Sequence, residues 1–125
     1  MNNKMSYFLD TYAMIEIAKG NKKFEPFLDH DLYTSLYNLY EFYFVLLRDF
    51  NETIAQEFFY QFKRHLINPN NENIFKASEF KIKNRGKRLS YVDCLGYILA
   101  LDNGLKFLTG DKEFENLENV EFVKK

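Results

Sequence analysis

Short apolar runs alternate along this chain with stretches of helical periodicity, and that alternation restricts the fold more than any other feature. "SYFL" (Ser6–Leu9), "LYTS" (Leu32–Ser35), "KFLT" (Lys106–Thr109) and "VEFV" (Val120–Val123) are too short for buried helices and read as strands. "LIN" (Leu66–Asn68), closed by Pro69, is a candidate fifth. "YAMIEIAKG" after the first strand is a helix that Gly20 can end, and Pro26 lies in a connection or short helix. Further on, Ile54, Phe58, Phe62 and Leu66 recur at helical spacing, a second helix spans about Asn71 to Ile82, and a long one runs from Ser90 to an Asn103-Gly104 stop. "DKEFENL" reads as a short helix before the last strand. Strands alternating with helices pack as a mostly parallel sheet covered on both faces. The expected class is α/β, with three layers and four or five central strands.

A chain of 125 residues with 46% hydrophobic content fits one domain over residues 1–125. Cys94 is the only cysteine, which excludes a disulfide framework or a cysteine-rich metal site and suits a reducing, cytoplasmic setting. His30 and His65 have no ligand spacing. The start, "MNNKMSYFLD", lacks a basic segment followed by a sustained apolar one, and the apolar run Leu36–Leu47 falls short of the roughly 20 residues that span a bilayer. A soluble protein with no membrane partner is expected. No Gly-x-x-x-x-Gly-Lys-Ser/Thr occurs, so a P-loop is excluded.

That apolar run, "LYNLYEFYFVLL", contains only two polar residues, Asn38 and Glu41. An unpaired buried carboxylate costs several kcal/mol, and no basic residue follows Glu41 before Arg48. Ser35, Asn38 and Glu41 recur at i, i+3 and i+6 and so draw one polar stripe along the helix. An edge left exposed on an imperfectly buried helix would also explain Glu41.

Other acids sit where strands end or helices begin. The first strand runs into Asp10-Thr11, "KFLT" runs through Gly110 into Asp111, and Asp93 lies in the first turn of the helix opened by Ser90. Ligands of parallel sheets bind beyond the carboxyl ends of the strands, where strand order reverses. Each acid also has a local reading: Asp10 or Thr11 and Asp111 can cap the turns that follow them, and Asp93 can complete a capping box with Ser90. A phospho-acceptor receiver domain would need a second acid beside Asp10, and none adjoins it. Four carboxylates drawn together repel by roughly 1 to 4 kcal/mol per close pair, which a hard divalent cation such as Mg²⁺ or Mn²⁺ would relieve. Lys81, Lys83, Arg85, Lys87 and Arg88 in "KIKNRGKR" form a basic block with no acid, either a phosphate track or a solvated loop turning at Gly86.

"YFLDTYAMIEIAKGN", the helix bearing Glu41, and "LSYVDCLGYILALDNGLKFLTGDKEFENLENVEFV" together resemble the PIN domain, most of all the small single-domain nucleases that serve as VapBC-type toxins. The family pattern is a strand ending in Asp-Thr, a Glu in the helix after the second strand, Ser-x-x-Asp opening a long helix, and Thr-x-Asp followed by Phe. Asp10, Glu41, Asp93 and Asp111 match its acids, Thr11 and Thr109 its hydroxyls, and Phe114 its aromatic. The resemblance covers both ends, whereas Asn51 to Arg88 match only in helical character. Tyr12 stands where the family very often has Asn, and Gly96 lies in a stretch usually richer in Ala.

The resemblance implies an endoribonuclease dependent on Mg²⁺ or Mn²⁺. Asp10 and Asp93 would be the principal ligands, with Glu41 and Asp111 binding directly or through water, and Thr11, Ser90 and Thr109 supporting them. It implies hydrolysis to a 5′-phosphate and a 3′-hydroxyl, single-stranded or looped RNA as substrate, a homodimer, and a small antitoxin partner. Lys81, Lys83, Arg85, Lys87 and Arg88 would hold the RNA backbone, with Tyr12 or Tyr91 stacking on unpaired bases. A silent PIN-like module for RNA or protein binding is the alternative, kept open by Tyr12. The 14 Phe and 9 Tyr exceed what a small core needs, so some rings are expected at a dimer face or an antitoxin groove.

Overall fold

The computed structural model describes residues 4–124. Residues 1–3, the start of the stretch "MNNKMSYFLD" discussed above, and Lys125 lie outside the described residues. Four strands, β1 (Ser6–Leu9), β2 (Asp31–Tyr33), β3 (Lys106–Thr109) and β4 (Val120–Phe122), form a wholly parallel sheet in the order β2-β1-β3-β4. Five α-helices connect and cover them: α1 (Thr11–Ala18), α2 (Leu36–Asp49), α3 (Glu52–Phe62), α4 (Asn71–Lys83) and α5 (Tyr91–Asp102). After β1 the chain first builds β2 on one side and later β3 on the other. Strand order therefore reverses between β1 and β3, which fixes where a ligand cleft opens.

The segment "LIN" does not become a strand. Leu66 makes one isolated parallel bridge to Thr34, in which Thr34 N donates to His65 O at 3.1 Å and Ile67 N donates to Thr34 O at 2.8 Å. A 3₁₀ turn over Lys63–His65 consumes the residues before it, and Pro69 has no N–H to extend the ladder after it.

Alternation along β1 sorts the core. Phe8 packs on one face with Phe107, Tyr97, Leu99 and Ala77, under α4 and α5, whereas Tyr7 and Leu9 pack on the other with Leu108, Met14, Leu39 and Phe42, under α1, α2 and α3. The aromatic excess divides. Phe8, Phe24, Phe42, Phe107 and Phe114 are buried, whereas Tyr40, Phe44, Tyr60, Phe75 and Tyr91 are exposed. On α2, Leu39, Phe42 and Leu46 face the core and Leu36, Tyr40, Phe44 and Leu47 form an uncovered apolar stripe on the opposite side. Cys94 is buried and free, and burial pushes its thiol up. Among the described residues no helix is long and apolar enough to cross a membrane.

Gly96 shows how tightly α5 meets the sheet. A Cβ there would stand 2.9 Å from Phe8 Cε1, a ring with no exposed surface, and 3.5 Å from Asn38 Oδ1. Alanine would gain about 1 kcal/mol of helix propensity, but overpacking costs about 1–3 kcal/mol where the neighbour cannot move. Gly96→Ala is therefore expected to lower the urea midpoint, and an unchanged or raised midpoint would show that Phe8 yields.

Candidate active site

Asp10 immediately follows β1, is buried, and serves through its carboxylate as the N-cap of α1. Its Oδ1 accepts from Ala13 N at 2.8 Å, its Oδ2 accepts from Thr109 Oγ1, and its own N donates to Leu108 O at 3.3 Å across to β3. Thr109, the last residue of β3, also accepts from Asp111 N at 3.0 Å. One hydroxyl thus ties the ends of β1 and β3 together at the switch point. Asp111 in turn caps the 3₁₀ turn Lys112–Phe114 through Glu113 N at 3.0 Å.

Asp93 arrives from the face covered by α5. Ser90 N donates to Asp93 Oδ2 at 2.9 Å and Asp93 N donates to Ser90 Oγ at 3.0 Å, a complete capping box. The cap readings of Asp10, Asp93 and Asp111 therefore hold, and they coexist with a shared location: capping is what fixes each carboxylate at the sheet edge.

Electrostatics shows the crowding. Burial, foremost, and then the charges of Asp93 and Asp111 push the Asp10 carboxyl up to about 8, against the opposing hydrogen bonds of Thr109 and Ala13. Asp93 is also raised, first by burial and further by Asp111, although its bonds to Ser90 and the charge of Lys81 pull it down. The charges of Asp93 and Asp111 thus reach Asp10, and that of Asp111 reaches Asp93.

Glu41 is tied by a hydrogen-bonded chain to Thr11, the neighbour of Asp10 in the sequence. Ser35 Oγ donates to Asn38 Oδ1 at 2.7 Å, Asn38 Nδ2 donates to Thr11 Oγ1 at 3.2 Å, and Thr11 Oγ1 donates to Glu41 Oε1 at 2.7 Å. The polar stripe on α2 is the helix face turned to the β1–α1 junction. Asn38 was visible in that stripe, but its role as the buried link from α2 to Thr11 needs the tertiary contact. Glu41→Gln keeps an acceptor for Thr11, so the metal-free melting temperature is expected to stay equal to or above that of the wild type; unfolding of the metal-free variant would refute this account.

Among the described residues, no three His, Cys, Asp or Glu side chains stand close enough to enclose an ion as they are arranged. The available donors are all carboxylate and hydroxyl oxygens, however, and their mutual repulsion is what a cation offsets. They fit a hard divalent ion such as Mg²⁺ or Mn²⁺ and not a soft metal.

The basic block separates. Lys81 and Lys83 belong to the last turns of α4, and Arg85, Lys87 and Arg88 to the loop before α5. Lys81, Arg85 and Lys87 line a groove of about 400 Å³ with Tyr91, whose ring lies 4.8 Å from Lys81 Nζ. Lys81 Nζ also donates to Leu89 O at 2.6 Å. Lys83 and Arg88 are exposed outside this groove, and Arg88 N donates to Glu113 Oε1 at 2.7 Å. Tyr12 turns away from Thr11 and Glu41 and packs on Gly110, where an added Cβ would fall 2.3 Å from its Cε1.

A family model for the PIN domain matches residues 7–120, a span that contains all four acids. The chain belongs to the PIN domain family. Among solved structures, this PIN domain is similar to VapC20 of Mycobacterium tuberculosis, described as a sarcin-ricin loop cleaving toxin. The two are 16% identical with a TM-score of 0.80, over 94% of this chain and 98% of that one. A toxin-antitoxin complex from Klebsiella pneumoniae matches at 16% identity and a TM-score of 0.78, over 95% of this chain and 98% of that one. VapBC2 from Rickettsia felis, bound to a DNA fragment from its promoter, matches at 16% identity and a TM-score of 0.71, over 94% and 97%. At that identity the likeness is one of fold. No curated protein sequence matches the chain.

Proposed function

We propose that this PIN domain is an endoribonuclease dependent on Mg²⁺ or Mn²⁺ and acts as the toxin of a toxin–antitoxin pair. What supports the reading is that Asp93 and Asp111 lie near enough to Asp10, at the switch point of the sheet, to raise its carboxyl, while Glu41 accepts from Thr11 beside Asp10 in the chain. Asp10, Asp93 and Asp111 would hold the cation, with Glu41 reaching it directly or through water. The bound ion would supply a lowered water pKa and neutralisation of the charge that builds on the phosphoryl group. Thr109, Ser90 and Thr11 hold the three aspartates and Glu41 in place. Water adds to phosphorus, the P–O3′ bond breaks, and a 5′-phosphate and a 3′-hydroxyl result. Lys81, Arg85 and Lys87 would track the phosphates leading to the site, with Lys83 and Arg88 adding charge outside the groove.

The similar folds come from toxin-antitoxin systems, which supports a small antitoxin partner here. The uncovered stripe of Leu36, Tyr40, Phe44 and Leu47 supplies apolar area for such a partner or for a homodimer, and a cytoplasmic location suits an RNA substrate. The spacing of the acids, too open to enclose an ion as arranged, favours the second reading, a silent RNA- or protein-binding module.

Incubation of a single-stranded RNA pool and total RNA with Mg²⁺, Mn²⁺ or EDTA, with mapping of product ends, tests the proposal. Metal-dependent cleavage leaving 5′-phosphates is expected. No cleavage with either metal, together with no rise in melting temperature on adding Mn²⁺, would favour the silent module.

A further inference from the structure

The groove beside Lys81 and Tyr91, whose lining includes none of the four acids, is not the only one on the molecule. A second, of about 670 Å³, opens next to Asp111 between the ends of α1 and β4, with Tyr12, Phe122, Lys112 and Lys124 on its walls. The two grooves share no lining residue. Tyr12 packs with the core under α1, α2 and α3, whereas Tyr91 is the exposed first residue of α5.

Three features suit a nucleotide. The volume falls within the roughly 300–1,000 Å³ of small-ligand sites. Tyr12 and Phe122 supply two partly exposed rings and Lys112 and Lys124 two cations, the pairing of stacking platform and positive charge that unpaired strands use. The Tyr12 ring is also fixed in place: it lies so close over Gly110 that any side chain there would collide with it, with Val123 O 3.0 Å from the same Cβ position. A ring already ordered loses little freedom when a base stacks on it.

We propose that this groove is a second nucleotide subsite, in which Tyr12 and Phe122 hold an unpaired base and Lys112 and Lys124 the adjoining phosphate. The substrate is then an unpaired strand held at two separate grooves, by Tyr91 and Lys81 in one and by Tyr12 and Phe122 beside Asp111 in the other. A duplex cannot use either ring, because its bases are stacked within the helix. Glu115 on the same wall opposes a phosphate and restrains the affinity. The inference rests on the nuclease reading for its ligand, RNA, but not on cleavage.

The test is fluorescence anisotropy with a 5′-labelled single-stranded oligouridine in EDTA, where nothing is cut, alongside 4-thiouridine crosslinking mapped by mass spectrometry. Crosslinks to Tyr12 or Phe122 are expected. Tyr12→Ala and Phe122→Ala should each weaken binding by roughly tenfold, and Tyr12→Phe should restore it. Lys112→Gln and Lys124→Gln, surface changes that spare the fold, should each reduce the slope of log affinity against log salt by about 0.7. Glu115→Gln should tighten binding. The proposal is overturned if the aromatic and lysine variants bind like the wild type and no crosslink maps to this groove. RNA bound here but never cut would sink the nuclease reading alone; RNA cut by a protein whose groove variants bind normally would sink this inference alone.

Discussion

Asp10→Asn is expected to reduce RNA cleavage by about a thousandfold or more, the scale of losing several kcal/mol of metal-supplied charge stabilisation, while the protein stays folded. Asparagine occupies the same space and keeps one oxygen to accept from Ala13 N, so the cap of α1 survives. On the Thr109 side the amide presents donors where Thr109 Oγ1 donated before, which costs about 1 kcal/mol. Against that loss stands the removal of a carboxylate that is costly to ionise in its buried site. Circular dichroism melts should therefore show a folded variant, and the rise in melting temperature that Mn²⁺ gives the wild type should vanish. Cleavage within about tenfold of wild type would remove Asp10 from the site.

The acids could be found in the sequence because each sits at a local landmark. Asp10 ends an apolar run, Asp93 follows Ser90 by a helix-start interval, Asp111 follows Thr109 across a glycine, and Glu41 breaks an apolar helix. Strand order then brings the first and third of these together, and that order is seen only in the structure, since the α/β alternation fits several parallel orders. Contacts between distant segments were not legible. Nothing local distinguishes "LIN" from a strand until the turn at Lys63–His65 is seen to leave Leu66 alone. Nothing in "DTY" shows that Thr11 reaches Glu41 while Tyr12 folds over Gly110, more than 90 residues away. The basic block read as one unit, yet a helix end runs through it and separates Lys81, Arg85 and Lys87 from Lys83 and Arg88.

Metal-free protein is expected to lose stability as pH rises, by on the order of 10 °C in melting temperature between pH 5.5 and 8.5. Asp10 has an ordinary value of 3.8 and is pushed up to about 8 in the folded chain, so between those values the native state holds a proton that the unfolded state has released. Stability from this group is full below the unfolded value and is lost as pH climbs through the folded one. A shift of that size corresponds to at most about 6 kcal/mol. Asp93 is raised as well and acts in the same sense. Asp10→Asn should flatten most of the slope and leave only the share due to Asp93. Saturating Mg²⁺ or Mn²⁺ should reverse it, because a cation binds the ionised carboxylates and stabilises the fold by about 2.7 kcal/mol at a hundredfold excess over its Kd. If melting temperature in EDTA instead rises steadily from pH 5.5 to 8.5, Asp10 is ionised in the free protein. Burial and the charges of Asp93 and Asp111 would then be too weak to keep its proton in place.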